Sequence, residues 1–474
     1  MARLGARALI EATVDAGTFT SWDTPMDFSG FAPEYAAELE AARAKSGVDE
    51  AVITGAATID GHPVALIVGE FRFLGGSIGM ATAARIVAAT ERSTTERLPL
   101  IAATASGGTR MQEGTPAFIK MVDIAAAIVR HRQAGLPYFV YLRHPTTGGS
   151  FASWGSLGHV AVAEPGALIG FLGPVVYETL NGEAFPQGVQ TAENLVERGV
   201  IDAVVPDEEL GSVAARVLRL LSPHGARSVP PPAPVLPPAA CSTWESILLT
   251  RRADRPSVRS LLRYGADEVL PLNGTGDGEA DLGMMLALTA FRGIPCVLIG
   301  QDRHYQRSQS MGPAALRAAR RGMRIAQELG LPLVSVIDTP GADLSPHAEE
   351  RALAGEIARC LADMTSMTVP SVSVLLGEGT GGGALATLPA GRVIATEHAW
   401  LSPLPPEGAS AIVYRDITHA AEMAQRQRVG ARQLLEDGII HAIVPERPAA
   451  HEDPVAFAKA VADEIVRQIL DQNP

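Results

Sequence analysis

The chain has 474 residues, of which 47% are hydrophobic and 5% aromatic, and 39 Lys+Arg against 52 Asp+Glu give a net charge of −13. This length allows two to four domains of roughly 100–200 residues each, and the apolar content is that of a globular protein, not of a fibrous or disordered one. The acidic balance argues against a nucleic-acid binder or a protein of anionic membrane surfaces, which would carry a basic field.

The amino-terminal stretch lacks the apolar core of a secretory signal, because Glu11 interrupts it. In the most apolar later stretch, 283–300, the segment Arg292–Pro295 predicts a break between a short helix and a strand, so we expect no membrane span. Three widely spaced cysteines predict neither a disulfide framework nor a zinc ribbon. We therefore expect a cytoplasmic protein without a bound metal.

A proline-rich stretch at 230–238 has six prolines in nine residues, which is typical of an extended, semi-rigid linker. It predicts an N-terminal domain at 1–225, a linker at 226–243 and a C-terminal domain at 244–474. The two predicted domains also resemble each other. Three blocks recur in the same order and at similar spacing: 98–108 matches 331–341, 145–152 matches 378–385, and 197–206 matches 436–445.

Short apolar runs alternate with amphipathic stretches in both halves. The runs are too short for helices and fit buried strands, whereas the longer stretches between them have helical periodicity. The predicted strands are 64–69, 98–104, 136–142, 295–300, 331–338 and 369–376, and the clearest predicted helices are 81–93, 116–131 and 313–329. Alternating strands and helices predict an α/β fold in each half.

Two glycine pairs follow predicted strands and precede predicted helix starts, Gly148–Gly149 in the first half and Gly382–Gly383 in the second. The first amides of a helix lack intrahelical acceptors and carry the positive end of the helix dipole. Such amides can stabilise an oxyanion by roughly 3–4 kcal/mol per donor. Tight packing turns would give the same pattern, but recurrence in both halves favours two anion-stabilising turns.

Two other motifs predict different chemistry. Residues 75–79 match the G-x-S-x-G nucleophile elbow, which would make Ser77 a hydrolase nucleophile, but no histidine stands out as its partner. Residues 377–382 match the G-x-G-x-x-G dinucleotide fingerprint, but Pro389 leaves too short a helix for the crossover that this motif requires. Neither motif explains the duplication.

Longer motifs resemble a known family. The segments 71–79, 105–114, 136–158 and 163–174 resemble the β subunit of the bacterial acetyl-CoA carboxylase carboxyltransferase, and 310–342, 348–351, 377–386 and 405–414 resemble its α subunit. The chain therefore looks like a β–α fusion of the actinobacterial acyl-CoA carboxylase type. The resemblance implies two tandem crotonase-like domains of the ClpP/crotonase ββα superhelix class.

The resemblance also implies a reaction. In this family, carboxybiotin and an acyl-CoA meet at the active site. Loss of CO2 leaves a biotin enolate that removes the α-proton of the thioester, and the thioester enolate then attacks the CO2. Two oxyanions form, so two oxyanion holes are needed, and no protein base is required. Carried onto this sequence, the holes fall at Gly148 and Gly149 and at Gly382, Gly383 and Ala384.

Further residues are predicted to bind the substrate. They are the neighbouring turn glycines Gly107, Gly108, Gly341 and Gly408, together with Arg110 and Ala386 of the family motifs. No cofactor is expected to be covalently bound, because carboxybiotin is delivered by a separate carrier protein. The implied partners are acyl-CoA, biotin carboxylase and biotin carboxyl carrier protein, and the family pairs its two domain types across protomers in a homodimer or hexamer.

Ala384, Leu385 and Ala386 are small or apolar, which predicts an uncharged pocket with room for a methyl group or slightly more. Acetyl-CoA is the first substrate expected, with malonyl-CoA as the product for fatty acid biosynthesis, because the motifs most resemble those of acetyl-CoA enzymes. Propionyl-CoA or longer acyl-CoAs are the alternative. The α-type Gly-Ala-Tyr-Pro-Gly stretch is replaced by 341–345, and the zinc ribbon typical of β subunits is not present in 1–50. Two other functions stay open. Malonyl-thioester decarboxylation would use the same oxyanion stabilisation, and the altered segment 343–347 allows an inactive scaffold in a carboxylase complex.

Overall fold

Residues 3–221, 230–231 and 241–472 are described by a computed structural model. Its internal contacts divide the chain into two compact units, Met1–Arg219 and Leu220–Pro474. The linker predicted at 226–243 lies mostly outside the described residues.

Unit 1 alternates strands and helices along its length. Its elements are α1 (Ala6–Thr13), β1 (Thr20–Ser21), α2 (Pro33–Ser46), β2 (Val52–Ile59), β3 (His62–Gly69), α3 (Met80–Thr95), β4 (Leu100–Ser106), α4 (Gly114–Gln133), β5 (Tyr138–Thr147), β6 (Val160–Ala163), β7 (Ile169–Gly170), α5 (Pro174–Asn181), α6 (Ala192–Glu197), β8 (Ala203–Val204) and α7 (Leu210–Leu221). Short 3₁₀ turns occupy Leu74–Gly76 and Asp207–Glu209, and one π-helical turn covers Phe151–Gly155.

Unit 2 repeats this pattern with further short helices. Its elements are α8 (Thr243–Thr250), α9 (Val258–Gly265), β9 (Glu268–Leu272), β10 (Met284–Phe291), β11 (Ile294–Gln301), α10 (Arg303–Gln306), α11 (Pro313–Leu329), β12 (Leu333–Thr339), α12 (Pro346–Glu350), α13 (Leu353–Ser366), β13 (Ser371–Thr380), α14 (Gly381–Leu385), β14 (Arg392–Thr396), β15 (Trp400–Ser402), α15 (Pro406–Tyr414), α16 (Ala420–Arg426), α17 (Ala431–Glu436), β16 (Ala442–Val444) and α18 (Pro454–Leu470).

The two sheets have the same topology. In unit 1 the strand order is β1-β2-β3-β4-β5-β6-β8, with β7 paired to β5, and in unit 2 it is β9-β10-β11-β12-β13-β14-β16, with β15 paired to β13. In both sheets the first three strands are antiparallel and the rest are parallel. Parallel strands with helical crossovers bury both faces of a sheet, which explains their apolar runs. The predicted α/β fold is confirmed.

Each unit has its own apolar core. Central strand residues such as Val140 in unit 1 and Val374 in unit 2 are fully buried. The helix predicted at 313–329 is present with those bounds and begins with Pro313, which suits the first helical position because its missing N–H has no intrahelical partner there.

One predicted element is wrong. The stretch 283–300 does not contain a short helix, because β10 and β11 form an antiparallel hairpin in which Phe291 pairs with Ile294. The turn residue Arg292 reverses the chain with a positive φ of 49°. Within the described residues, no helix is long and apolar enough to cross a membrane.

Candidate functional site: two glycine turns

The first glycine turn lies at the carboxyl end of β5. The strand ends at Thr147, and Gly148 has a φ of +61°, a left-handed conformation that favours glycine. Ala152 N–H donates to the Gly148 carbonyl at 3.1 Å, which is the first hydrogen bond of the following helical turn. The amides of Gly149 and Ser150 therefore precede the hydrogen-bonded turn, where a helix start presents its donors outward.

The second turn has the same backbone course at the carboxyl end of β13. Gly381 has a φ of +63° and opens α14. Ala386 N–H donates to the Gly382 carbonyl at 3.0 Å, so the amides of Gly382 and Gly383 also lie in the first turn of their helix. The left-handed position is thus Gly381, one residue before the predicted pair.

A loop after the neighbouring strand approaches each turn closely. A Cβ added to Gly148 would lie 3.3 Å from the Cα of Gly108. A Cβ added to Gly383 would lie 3.1 Å from Ala342 N and 3.4 Å from the Gly341 carbonyl carbon. The structure therefore brings the predicted residues Gly107, Gly108, Gly148 and Gly149 together in unit 1, and Gly341 and Gly383 together in unit 2.

Not every predicted donor is available. The Gly148 N–H already donates to the carbonyls of Phe171, at 2.9 Å, and Gly170, at 3.2 Å. The Gly108 N–H donates to Ser106 Oγ at 3.1 Å. Gly148 therefore contributes the turn, and its prediction as an oxyanion donor needs this correction: the amides that remain for a ligand are those of Gly149 and Ser150.

Hydroxyl groups support the first turn from below. Ser150 Oγ donates to Ser106 Oγ at 2.8 Å, and Thr147 Oγ1 donates to the Ser106 carbonyl at 3.4 Å. All three residues are buried. The sequence pattern did not single out Ser106 and Ser150, although Ser106 ends the apolar strand β4 and Ser150 directly follows the first glycine pair.

A buried amide supports the second turn. Gln301 Nε2 donates to the Gly383 carbonyl at 2.7 Å, and its Oε1 accepts from Asp338 N at 3.2 Å. Burial raises the pKa of Asp338 to about 6. Gly341 N–H donates to Thr339 Oγ1 at 3.1 Å, matching the Ser106 contact of unit 1. Gln301 was also missed, although a polar residue closing the apolar run of β11 marked it.

Arg110 does not lie open to a substrate in unit 1. Its side chain is 1% exposed, and two of its nitrogens donate to the carboxylate of Glu50 at 2.8 and 2.7 Å. It also donates to Glu113 at 3.2 Å and to the Ser77 carbonyl at 2.9 Å. A buried guanidinium that is already paired cannot bind a substrate anion without losing these contacts. Arg110 therefore holds its loop in this structure, and substrate binding by Arg110 stays a prediction.

Two alanines of the second turn are likewise buried. Ala384 and Ala386 are 0% exposed, and Ala384 packs in an apolar cluster with Ile337. Their methyl groups therefore do not line an open pocket in unit 2, while Leu385 between them is 47% exposed. Gly408 lies in the first turn of α15, where an added Cβ would have Leu404 Cβ at 3.9 Å and Pro405 Cδ at 4.0 Å as its nearest contacts.

The two competing motifs, at 75–79 and 377–382, do not have the structural setting that their chemistry requires. Ser77 Oγ donates to the Leu74 carbonyl at 2.8 Å and accepts from Arg110 Nε at 3.3 Å, which leaves it engaged in local structure. Gly377 and Gly379 lie inside β13 and not in a strand-to-helix turn. Among the described residues, no three His, Cys, Asp or Glu side chains group as metal ligands. The glycine turns offer chemistry of one kind, the stabilisation of anions by backbone amides.

Comparison with known proteins identifies the family. The profile of the carboxyl transferase domain matches residues 2–468. The probable biotin-dependent acyl-coenzyme A carboxylase beta3 subunit of Mycobacterium tuberculosis is 55% identical over 474 residues, covering 99% of this chain and 94% of that protein. The acetyl-coenzyme A carboxylase carboxyl transferase subunits beta/alpha of Salinispora arenicola are 37% identical over 493 residues, covering 99% and 87%.

Solved structures of low sequence identity share the fold. Transcarboxylase 12S, a hexamer with methylmalonyl-coenzyme A bound, superposes with a TM-score of 0.79 at 20% identity, covering 99% of this chain and 90% of that one. A single-chain, multi-domain long-chain acyl-CoA carboxylase superposes with a TM-score of 0.75 at 20% identity, covering 96% and 46%. The expected tandem crotonase-like fold is confirmed. The duplicated fold and the matched sequence over nearly its whole length place this chain in the carboxyl transferase family of biotin-dependent acyl-CoA carboxylases.

Proposed function

We propose that this chain is the carboxyltransferase component of a biotin-dependent acyl-CoA carboxylase, which moves CO2 from carboxybiotin to the α-carbon of an acyl-CoA. One observation carries the proposal: each unit ends a buried parallel strand in a left-handed glycine followed by a helical turn, and the first amides of such a turn lack intrahelical acceptors. The reaction forms two oxyanions, and preorganised amides stabilise such charge best because they need no reorganisation.

In this proposal the donors are the amides of Gly149 and Ser150 in the first turn and of Gly382 and Gly383 in the second. The buried hydroxyls of unit 1 and the Gln301 amide of unit 2 hold these donors in place. Apolar neighbours such as Met121, against Gly149, restrict water at the turn, which strengthens each hydrogen bond to an anion.

The acyl group is proposed to be acetyl first and propionyl second. The Salinispora relative is named as an acetyl-CoA enzyme, whereas the Mycobacterium relative is named only for acyl-CoA. Leu385 is the exposed apolar side chain beside the second turn. One methylene in an apolar pocket is worth about 1–3 kcal/mol, so kcat/KM for acetyl-, propionyl- and butyryl-CoA should be graded. A butyryl-CoA value tenfold above acetyl-CoA would overturn the choice.

We further propose that the chain works as a homodimer or larger homo-oligomer in the cytoplasm, with biotin carboxylase and biotin carboxyl carrier protein on other chains. The sequence has no Met-Lys-Met biotinylation site, and the related transcarboxylase 12S is a hexamer. Sedimentation at assay concentration should give no active monomer, and a streptavidin blot of the purified chain should be blank. A biotin signal or a fully active monomer would contradict this part.

The deciding experiment is the reverse partial reaction. The purified chain is incubated with malonyl-CoA and free biotin, and acetyl-CoA release is followed. Release that requires biotin supports carboxyl transfer. Equal release without biotin would identify a malonyl-thioester decarboxylase, and no turnover from a chain that still assembles with its carboxylase partners would identify a scaffold.

A further inference from the structure

Arg251, the residue that follows α8, contacts two separate segments of unit 2 with a single planar group. Its Nε donates to Glu378 Oε1 at 3.0 Å. Its two terminal nitrogens donate to the two carboxylate oxygens of Glu407, at 2.5 and 3.2 Å. Three N–H groups of one guanidinium therefore serve two carboxylates.

Both carboxylates lie beside predicted site residues. Glu378 belongs to β13, four positions before the predicted Gly382, and its backbone N–H donates to the buried Asp338 Oδ1 at 3.0 Å. Glu407 lies in the first turn of α15, next to Gly408. Arg251 thus connects the strand that leads into the second glycine turn with the start of α15.

The guanidinium is itself held in place. It lies 5.6 Å from the ring centroid of Trp400 and 5.9 Å from that of Trp244, within the range of a cation–π contact. Trp400 is fully buried, and its Nε1 donates to Thr250 Oγ1 at 3.1 Å. The hydrogen bond from Arg251 lowers the pKa of Glu407, so this pair stays ionised at neutral pH.

We propose that Arg251 is a positioning residue, which fixes the spacing between the amides of Gly382 and Gly383 and the first turn of α15. This role deepens the proposed function and rests on it. Lysine cannot reproduce it, because a point-like ammonium on a flexible stem cannot serve both carboxylates in one plane. Arg251 does not touch the reacting atoms in this proposal and acts through the two segments that it joins.

The test compares Arg251→Met and Arg251→Lys with a matched control, Arg252→Met. Arg252 is the adjacent, exposed arginine, and its side chain pairs with Asp254 at 2.9 and 2.7 Å. Misplaced donors cost transition-state stabilisation more than substrate binding, and a shift of about 1 Å can cost about 100-fold. We expect Arg251→Met to lower kcat of the reverse reaction about 10- to 100-fold, with KM within about twofold of the wild-type value. The kcat of Arg251→Lys should lie between those of Arg251→Met and the wild type, and the kcat of Arg252→Met should equal the wild-type value.

A second readout does not depend on activity. Hydrogen–deuterium exchange should rise in 378–386 and 405–410 of Arg251→Met, while β10 and β11 keep the exchange rates of the control. A folded Arg251→Met with unchanged kcat and unchanged exchange would overturn the proposal. A uniform rise in exchange over the whole of unit 2 would also overturn it, because Arg251 would then only stabilise the fold. If Arg251→Met does not fold, Arg251→Lys and Glu407→Gln carry the same comparison. A wild-type chain without transfer activity would remove the proposed function, while the exchange pattern still decides whether Arg251 orders these segments.

Discussion

The two glycine turns have similar backbone conformations, but different side chains hold each turn in place. In unit 1, the loop after β4 is anchored by a buried ion pair, Arg110 with Glu50, and the turn rests on serine hydroxyls. In unit 2, the corresponding loop carries Asp343, which accepts from the backbone N–H and hydroxyl of Ser345 nearby.

The neighbours of the two turns also differ. An added Cβ at Gly149 would have the flexible side chain of Met121 as its nearest contact, at 3.3 Å. At Gly383 it would meet the Met311 side chain at 3.0 Å and also the backbone N of Ala342 at 3.1 Å. The same fold can thus keep one donor geometry while the support beneath it is replaced. The second turn should be the less tolerant of added volume, because a backbone cannot move aside as a side chain can.

The largest expected effect is on the anchored loop of unit 1. Arg110→Met would leave Glu50 buried without its partner, which costs about 3–5 kcal/mol in the free energy of unfolding. Urea denaturation should show this loss, and Asp343→Asn in the second loop should cost less than about 1 kcal/mol because its contacts are local and partly exposed. Equal losses for the two variants would contradict the difference between the loops.

The next effect is on turnover. Gly383→Val places a branched side chain against the Ala342 backbone and should lower kcat of the reverse reaction at least about 100-fold, the scale of one lost oxyanion donor. Gly149→Ala, whose Cβ has its nearest contacts with the Met121 side chain, should lower kcat less than Gly383→Ala, whose Cβ also meets the Ala342 backbone. Gly173→Ala, at a position with open space around the Cβ, is the control. A soluble Gly383→Val with near-normal kcat would remove the second turn from the site.

The third effect is the contribution of His131, in α4 of unit 1, to the pH dependence of stability. Burial lowers the pKa of His131 to about 4, against about 6.5 when unfolded. The native state then binds fewer protons than the unfolded state between these values, so stability is lost as pH falls from about 6.5 to about 4, by up to ~3 kcal/mol. The helix that takes the place of α4 in unit 2 has the buried, non-titrating Met364.

His131→Met should therefore flatten the dependence of the unfolding free energy on pH in this range. Other groups titrate there in both proteins, so the measured quantity is the difference between the two slopes from paired urea titrations. Parallel curves would show that His131 is not the source.

The smallest effect is expected from a substitution that makes the first glycine turn more like the second. Ser150→Gly gives the first turn the glycine that the second has at Gly383, and it removes the hydrogen bond to Ser106. We expect a loss of about 1 kcal/mol in stability and kcat within about threefold, because the amide donor remains. A loss of activity as large as that of Gly383→Val would mean that the hydroxyl itself acts on the ligand.

The sequence by itself determined the duplication, the strand–helix order and the place of both glycine turns. Apolar periodicity and glycine positions can be recognised within a short segment without knowledge of its tertiary contacts. For this reason the helix 313–329 was predicted with its observed bounds. The family followed from long motifs, and the comparisons confirm it.

Only the tertiary structure decided which groups remain free at the turns. The Gly148 N–H donates a hydrogen bond to the Phe171 carbonyl. Arg110 pairs with Glu50, which lies sixty positions earlier in the chain, and Ala386 is buried. The hairpin of β10 and β11 replaced a predicted helix for the same reason. Hydrogen-bond partners and burial are set by segments far apart in sequence, and no local pattern records which of them will meet.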